Sequence, residues 1–89
     1  MPTAPPTTVR VRYFAGARAA AGVSEEEIQL GATASVADVL SAVRERRGTR
    51  LTRVLTSCSF LLDGVAVHDP GTAVPRRAEL DVLPPFAGG

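Results

Sequence analysis

The sequence predicts an α+β domain in which one amphipathic helix covers a mixed sheet of about five strands. Three features support this fold class. Residues 9–14 and 79–83 alternate between inward apolar and outward side chains, as half-buried strands do. Residues 36–47 carry the apolar spacing of a helix, and Asp63-Gly64 is a two-residue hairpin signal between two apolar runs.

The first predicted strand, residues 9–14, has one buried face. Its inward side chains are Val9, Val11 and Tyr13, and its outward side chains are Arg10, Arg12 and Phe14. The alanine-rich residues 15–21 predict a short helix or turn that ends at a glycine C-cap, Gly22. A second strand follows over residues 23–30. It directs Ile28 and Leu30 inward and Glu25 and Glu27 outward.

The main helix has a start signal, an apolar stripe and a stop signal. Ser35 followed by Asp38 is a variant of the capping box. The apolar stripe consists of Val36, Val39, Leu40 and Val43. The charged run 44–47 contains three arginines that complement the helix dipole and predicts a solvated face, and Gly48 ends the helix.

The second half of the chain predicts three more strands. A connection over residues 49–57 comes first, with room for a helical turn at 51–55. Strands follow over residues 58–62 and 65–68, and then a turn at 69–71. The last strand covers residues 79–83 and directs Leu80 and Val82 inward. The resulting order is strand, strand, helix, strand, strand, strand. A β-grasp is the natural way to fold this order.

Size and composition restrict the class of protein. Eighty-nine residues form one core, with a Pro/Thr-rich segment at residues 1–7 expected to be disordered and a folded domain over residues 8–89. The net charge of +1 gives no field that would attract nucleic acid or an anionic membrane. The chain has no apolar run of membrane-span length and no signal-peptide pattern, so we expect a cytoplasmic protein.

Few side chains are candidates for chemistry. Cys58 is the only cysteine, which excludes an intramolecular disulfide and disfavours a metal site, and its position predicts a buried structural thiol. His68 has no evident ligand partner and is expected at the surface. The arginine pair 76–77 predicts another solvated face. All ten cationic side chains are arginines, so the chain offers no lysine amine for covalent chemistry.

Residues 84–89 differ from an ordinary strand end. Pro84 and Pro85 stop the sheet because neither can donate a ladder hydrogen bond. The segment 86–89 reaches about 13 Å when extended. Gly88 and Gly89 would fit a channel too narrow for a Cβ atom. We predict a flexible tail that presents the carboxylate of Gly89, as its reacting group, inside a partner's active site; the alternative is a frayed end without a function.

The outward sides of the first and last strands predict a docking surface. These strands are neighbours in a β-grasp, so Phe14 and Leu83 should meet on the face opposite the helix. The arginines of the first strand should then pair with Glu79 and Asp81. An apolar patch beside the start of the tail suits a partner protein. The alternative is two isolated, exposed apolar residues.

Three segments resemble a known family. They are VRYFA at residues 11–15, FLLDGVAV at residues 60–67 and LPPFAGG at residues 83–89. Together they are similar to the small, sulfur-carrying subunit of molybdopterin synthase, in the ubiquitin-like MoaD/ThiS family. The resemblance covers residues 8–89, and the ending is its most specific part.

The resemblance implies a cycle in which other proteins perform the catalysis. An E1-like adenylyltransferase/sulfurtransferase would use ATP to adenylate Gly89, and a sulfur source would convert the adenylate to a thiocarboxylate. The tail would then enter the large catalytic subunit and give its sulfur to cyclic pyranopterin monophosphate. The carrier would bind no cofactor or metal and would not be an enzyme by itself.

The resemblance also implies roles for individual residues. Apolar residues at positions matching Phe14, Val67 and Leu83 would help to bind the large subunit. Phe86 would anchor the tail in the partner's groove, and Ala87 and the two glycines would complete its thin tip.

Three alternative functions remain open from the sequence. One is a sulfur carrier for thiamine, cysteine or tungsten-cofactor synthesis. Another is a ubiquitin-like protein modifier, which would transfer the activated Gly89 to a lysine on a target protein. The third is a β-grasp interaction module whose tail has no role.

Overall fold

The computed structural model of the chain describes residues 5–85. Predictions that fall on residues 1–4, the start of the proline-rich segment, and on residues 86–89, the tip of the tail, lie outside the described residues. Within residues 5–85, no helix is both long enough and apolar enough to cross a membrane.

Five strands and three helices make up the described part of the chain. They are β1 (Thr7–Tyr13), α1 (Ala15–Ala21), β2 (Glu25–Leu30), α2 (Val36–Arg47), α3 (Thr49–Leu55), β3 (Ser59–Leu62), β4 (Val65–Ala66) and β5 (Arg77–Leu83). The five strands form one mixed sheet in the order β2-β1-β5-β3-β4. β1 and β5 are parallel neighbours, and the other pairs are antiparallel. This confirms the predicted β-grasp and places the end of β5 near the middle of the sheet.

The core lies between one face of this sheet and the helices. Its members from the predicted strand and helix positions are Val9, Val11, Tyr13, Ile28, Val36, Val39, Leu40, Val43, Leu80 and Val82, all buried. Burying one such side chain contributes about 1.5–3 kcal/mol, so the predicted stripes account for much of the stability. The other side of the sheet is here called the open face; its central side chains are Arg10, Arg12, Phe14, Glu79, Asp81 and Leu83.

The turn and cap predictions are confirmed in detail. The backbone N–H of Asp38 donates to the Ser35 hydroxyl (3.3 Å), and the Ser35 N–H donates to the Asp38 carboxylate (2.8 Å), which completes the capping box. Gly22 has a φ of 81° and caps α1. Asp63 and Gly64 both have positive φ, 49° and 83°, as a type I′ hairpin turn requires.

Strand ends differ from the predicted ones by one or two residues. β1 begins at Thr7, which the sequence pattern assigns to the disordered segment. Thr7 is fully buried and pairs with Leu30, and the Thr8 N–H donates to the Arg76 carbonyl oxygen at 2.8 Å. The sequence pattern places the start of this strand too late, because threonines that follow prolines give no alternating apolar signal. β4 ends at Ala66, so His68 lies outside it.

Residues 49–55 form a full helix, α3, where the sequence predicts a connection with room for one helical turn. Leu51 and Leu55 are buried and fix α3 against the core. Gly48, with a φ of 86°, connects α2 directly to α3. Seven residues are too few for helical periodicity to stand out in the sequence.

The run 44–47 is only partly the solvated face that its charge predicts. Glu26 on β2 points inward, and its side chain is 6% exposed. Arg47 Nε and Nη2 donate to the two Glu26 carboxylate oxygens at 2.9 and 2.7 Å, and Arg46 Nη1 donates to one of them at 3.0 Å. The Tyr13 hydroxyl donates to the same carboxylate. Glu26 therefore joins β1 and β2 to the end of α2.

Candidate functional site

The open face is built on the parallel register of β1 and β5. Arg12 lies opposite Asp81 and Tyr13 opposite Val82. The Phe14 N–H then donates to the Val82 carbonyl oxygen at 3.2 Å, which brings Phe14 alongside Leu83. Phe14 is 37% exposed, and Leu83 is half-buried. The two residues thus lie side by side on the open face, as the alternation of each strand predicts.

A network of charged groups fixes Arg12 beside this apolar pair. Its Nε and Nη2 donate to the two carboxylate oxygens of Asp81 at 2.7 and 2.9 Å, and Nη2 lies 3.3 Å from Glu79. The guanidinium carbon lies 5.5 Å from the centre of the Phe14 ring, within the range of a cation–π contact. A bidentate pair restrains Arg12 more than a single contact would. Arg12 in turn supports the orientation of the Phe14 ring.

Arg10 departs from the predicted pairing. It lies opposite Glu79 in the β1–β5 register, but its ion pair is with Glu25 on β2, with Nε and Oε2 4.0 Å apart. Both side chains are about half exposed, so this pair contributes about 0–1 kcal/mol. The alternation of one strand cannot tell which of two neighbouring strands provides the partner.

Leu61 enlarges the apolar pair to an apolar patch, defined here as Phe14, Leu61 and Leu83. Leu61 lies opposite Asp81 in the β3–β5 register, and directly opposite residues project on the same face. It is half-buried. Leu61 is not among the residues predicted for this surface, although its position between the inward Phe60 and Leu62 indicates an outward side chain. The patch is adjacent to the point where the chain leaves β5.

Val67 is not part of this patch. Its N–H donates to the Phe60 carbonyl oxygen at 2.9 Å, so it continues the β4 pairing beside Phe60. Phe60 lies opposite Val82, which is buried in the core, and both Phe60 and Val67 pack against the core cluster. The structure therefore brings Phe14 and Leu83 together and leaves Val67 at another edge of the sheet. Its contact with a partner stays a prediction.

The tail begins in the middle of the sheet. β5 ends at Leu83, Pro84 is half-buried and Pro85 is exposed. Neither proline has an N–H that could extend the ladder with β1 or β3. The predicted reacting and tip residues, Phe86, Ala87, Gly88 and Gly89, lie outside the described residues. What the structure does define is the base of the tail, beside the apolar patch.

The remaining candidates for chemistry have structural or surface positions. Cys58 is half-buried and packs against the core, and its Sγ lies 3.2 Å from the Val54 carbonyl oxygen, to which it donates. Burial raises the pKa of the Cys58 thiol, which makes it a poorer nucleophile at neutral pH. His68 is exposed, as are Arg76 and Arg77. Within residues 5–85, no three His, Cys, Asp or Glu side chains come together as metal ligands would.

Two sequence comparisons agree with the fold and the ending of the chain. The sequence model of the ThiS family matches residues 11–89. The chain is also 32% identical over 82 residues to the molybdopterin synthase sulfur carrier subunit of Chlamydomonas reinhardtii. That alignment covers 91% of this chain and 98% of the algal protein, so it extends over both molecules almost entirely.

Solved structures give the same result for the fold. The crystal structure of SAMP1, a small archaeal modifier protein from Haloferax volcanii, superposes with a TM-score of 0.82 at 26% identity, covering 92% of this chain and 99% of that one. The complex of subunits 1 and 2 of the molybdopterin-converting factor from Helicobacter pylori contains a chain with the same fold, with a TM-score of 0.66 at 22% identity over 93% and 100% of the two chains. The fold is thus the ubiquitin-like β-grasp. Because the family match spans most of its length, the chain belongs to the ThiS family.

Proposed function

We propose that the chain is the sulfur carrier of a molybdopterin synthase and that it carries sulfur as a thiocarboxylate on Gly89. The observation on which this depends is the position of the tail: it leaves a central strand directly beside the apolar patch. A protein that covers the patch would therefore receive residues 86–89 in its own active site. The likeness to the algal sulfur carrier subunit, which extends over nearly the whole chain, supports the molybdenum pathway.

The proposed chemistry takes place on the last carboxylate. ATP converts the carboxylate to an acyl-adenylate with release of pyrophosphate. Hydrosulfide, delivered by the sulfur source, then attacks the acyl carbon and displaces AMP, and loss of its proton leaves a thiocarboxylate. Transfer of that sulfur to cyclic pyranopterin monophosphate returns the carboxylate, with water supplying the replacement oxygen. The chain itself provides the carrier group, the thin tip and the docking surface.

The proposal requires two partner proteins. One is an E1-like enzyme that uses ATP and loads the sulfur, and the other is the large catalytic subunit that accepts it. The algal relative is named as a subunit, and the Helicobacter pylori structure contains subunits 1 and 2 in complex, which supports the second partner. We assign catalysis to these proteins, and to this chain the carrying of sulfur on Gly89; the algal relative, a sulfur carrier subunit, supports this division.

Intact-mass spectrometry tests the loading step. The chain is incubated with a matching activating enzyme, ATP and a sulfur donor, and its mass is compared with that of the untreated chain. We expect a mass increase equal to the difference between one sulfur and one oxygen atom. The increase should require ATP and disappear after hydrolysis. An unchanged mass under these conditions would rule out any sulfur-carrier role.

A ubiquitin-like modifier is the second candidate function. The structural likeness to SAMP1, a small archaeal modifier protein, favours this function. A modifier would also be activated as the same acyl-adenylate. This chain has no lysine, so as a modifier it would form no chains through its own side-chain amines. Incubation in an extract of the source cells discriminates the two functions. Covalent adducts of the chain on lysines of other proteins would support the modifier, whereas a thiocarboxylate without adducts would support the carrier.

The apolar patch should bind the partner subunit. Replacing Phe14 or Leu83 by Asp introduces a charge that must be desolvated in the interface, and we expect at least about tenfold weaker binding. Because both side chains lie on the open face, the free energy of unfolding should change by less than about 1 kcal/mol. Isothermal titration calorimetry with the large subunit measures the affinity, and urea unfolding measures the stability.

Val65→Asp is the matched control. Val65 lies on β4, opposite Leu62 of β3 and away from the patch, and it is 69% exposed. The same apolar-to-acid change there should leave the affinity within about twofold of the original. If Val65→Asp weakened binding as much as Phe14→Asp, the assignment of the docking surface to the open face would be wrong.

A further inference from the structure

The edge of the sheet formed by β2 has backbone groups that are free for pairing. Among the strands of residues 5–85, β2 is the terminal one and pairs with β1 alone. The Tyr13 N–H donates to the Ser24 carbonyl oxygen at 2.9 Å, and in an antiparallel ladder such bonded pairs alternate. The backbone groups of Glu26, Ile28 and Leu30 therefore point towards β1. Those of Glu25, Glu27 and Gln29 point away from the sheet.

One of these outward groups is occupied. Arg46 Nη1 donates to the Glu27 carbonyl oxygen at 3.1 Å, which confirms the outward direction. Among the hydrogen bonds of residues 5–85, none uses the Glu27 N–H or either backbone group of Gln29. These three groups form a partly open template for one more strand.

A shallow groove runs beside this edge, between β2 and α2. Its apolar part is Leu30, Ala34 and Ala42, which are buried or half-buried. Alanines leave space above the sheet, and the groove has a volume of about 320 Å³. An added strand would present alternate side chains to the groove, because successive residues of a strand point to opposite faces.

The charge around the groove selects the kind of occupant. Asp38 and Glu45 line the groove from α2. Glu25 and Glu27 belong to the same edge, but their side chains project onto the open face of the sheet, where they would lie beside the alternate side chains of an added strand. The arginines near this edge are already paired: Arg46 and Arg47 bind Glu26, and Arg10 pairs with Glu25. A second copy of this chain would bring two runs of glutamate together, which is unfavourable. A basic segment would be complementary.

We propose that the β2 edge binds an extended peptide segment of a partner protein, in which apolar residues are flanked by lysine or arginine. The segment adds a strand to β2 and places apolar side chains over Leu30 and Ala42. This surface is separate from the tail, because β1 lies between β2 and β5. A partner bound there can hold the chain while Gly89 reacts elsewhere. The inference goes beyond the proposed function and does not depend on it.

NMR titration of the isotopically labelled full chain tests the proposal. The probe is a capped synthetic peptide, Lys-Lys-Val-Ile-Val-Val-Lys, and a matched peptide carries glutamates in place of the lysines. With the basic peptide we expect saturable shifts of the amides of Glu27, Gln29 and Ala42. The acidic peptide should bind at least about tenfold more weakly. Absence of shifts at millimolar basic peptide, or shifts centred on Phe14 and Leu83, would overturn the proposal.

Three variants separate the contribution of backbone pairing from that of charge. Gln29→Pro removes an outward N–H but no hydrogen bond to β1, so the fold should persist while peptide affinity falls at least about fivefold. Gln29→Ala keeps the N–H and should bind like the original chain. Glu45→Arg reverses a charge at the groove and should also weaken binding by at least about fivefold. Equal affinities for all three variants, or self-association of the chain through this edge, would contradict the inference.

Discussion

Deletion of Gly89 is expected to abolish thiocarboxylate formation while leaving the fold intact. The carboxylate would then be on Gly88, about 3.5 Å short of its original reach. Displacements of about 1 Å at a reacting centre can cost about 100-fold in rate, so we expect loading to fall by more than that factor. Intact-mass spectrometry after incubation with the activating enzyme, ATP and a sulfur donor measures the loss. The thermal midpoint should be unchanged, because the five strands and the core cluster that the structure describes lie within residues 5–85.

The control is a deletion at the other end of the chain. Removing residues 1–4 shortens the chain at the opposite end, again outside residues 5–85, and should leave loading unaffected. An extension after Gly89 should block loading as the deletion does, since it replaces the free carboxylate by a peptide bond. If the chain without Gly89 still gained sulfur at its original rate, the reacting group would have to be elsewhere. Cys58 would then become the first alternative to examine.

Most of the sheet could be predicted because its signals are local. The two-residue period of β1 and β5 identifies which side chains enter the core, and the open face follows as its complement. The positions of Phe14 and Leu83 are a direct result of that period. To predict that these two residues lie side by side, it was also necessary to know that the first and last strands are neighbours in a β-grasp. The fold class therefore contributed as much to the predicted patch as the residues did.

The features that escaped prediction depend on pairing between distant segments. Alternation alone gives Glu26 an inward position, but its partners Arg46 and Arg47 are 20 and 21 residues away. No periodic signal shows that a helix end will meet this strand. Val67 is a similar case. Its position beside Phe60 follows from the hairpin register, and β4 is too short for alternation to show it.

The candidate site likewise has a part that the sequence pattern predicts and a part that it does not. The base of the tail and the apolar patch are built on strands, so sequence periodicity and the observed structure agree about them. The proposed reacting end, residues 86–89, lies outside the described residues. The role proposed for it is supported by the chemistry of a glycine carboxylate and by the family match, which extends to residue 89. The loading assay therefore tests the role of Gly89 directly. The structure identifies the surface that should dock the tail to its partner.

The second large effect expected is on stability, at Glu26. Burial by itself would raise the pKa of this carboxyl, but hydrogen bonds donated by Arg47, Tyr13 and Arg46 outweigh it and lower the pKa to about 2. Its unfolded value is about 4.3. A group whose pKa is lowered on folding stabilises the protein above its unfolded pKa. This stabilisation is lost as the pH falls through the folded value. For Glu26 it should be complete above about pH 5 and should disappear towards pH 2, an effect of about 2–3 kcal/mol.

Glu26→Gln and Glu27→Gln form a matched pair for measuring this effect. They remove the same charge from neighbouring residues of β2, one inward and nearly buried, the other exposed. At pH 7, urea unfolding should show Glu26→Gln destabilised by about 3 kcal/mol, because two arginines lose their carboxylate partner. Glu27→Gln should change by less than about 0.5 kcal/mol. The deficit of Glu26→Gln should shrink between pH 5 and pH 2, since the original chain is losing the same charge. A deficit that stayed constant over this range would mean that Glu26 acts through its shape and packing, and that the ion pairs between β2 and the end of α2 contribute little to holding the helix on the sheet.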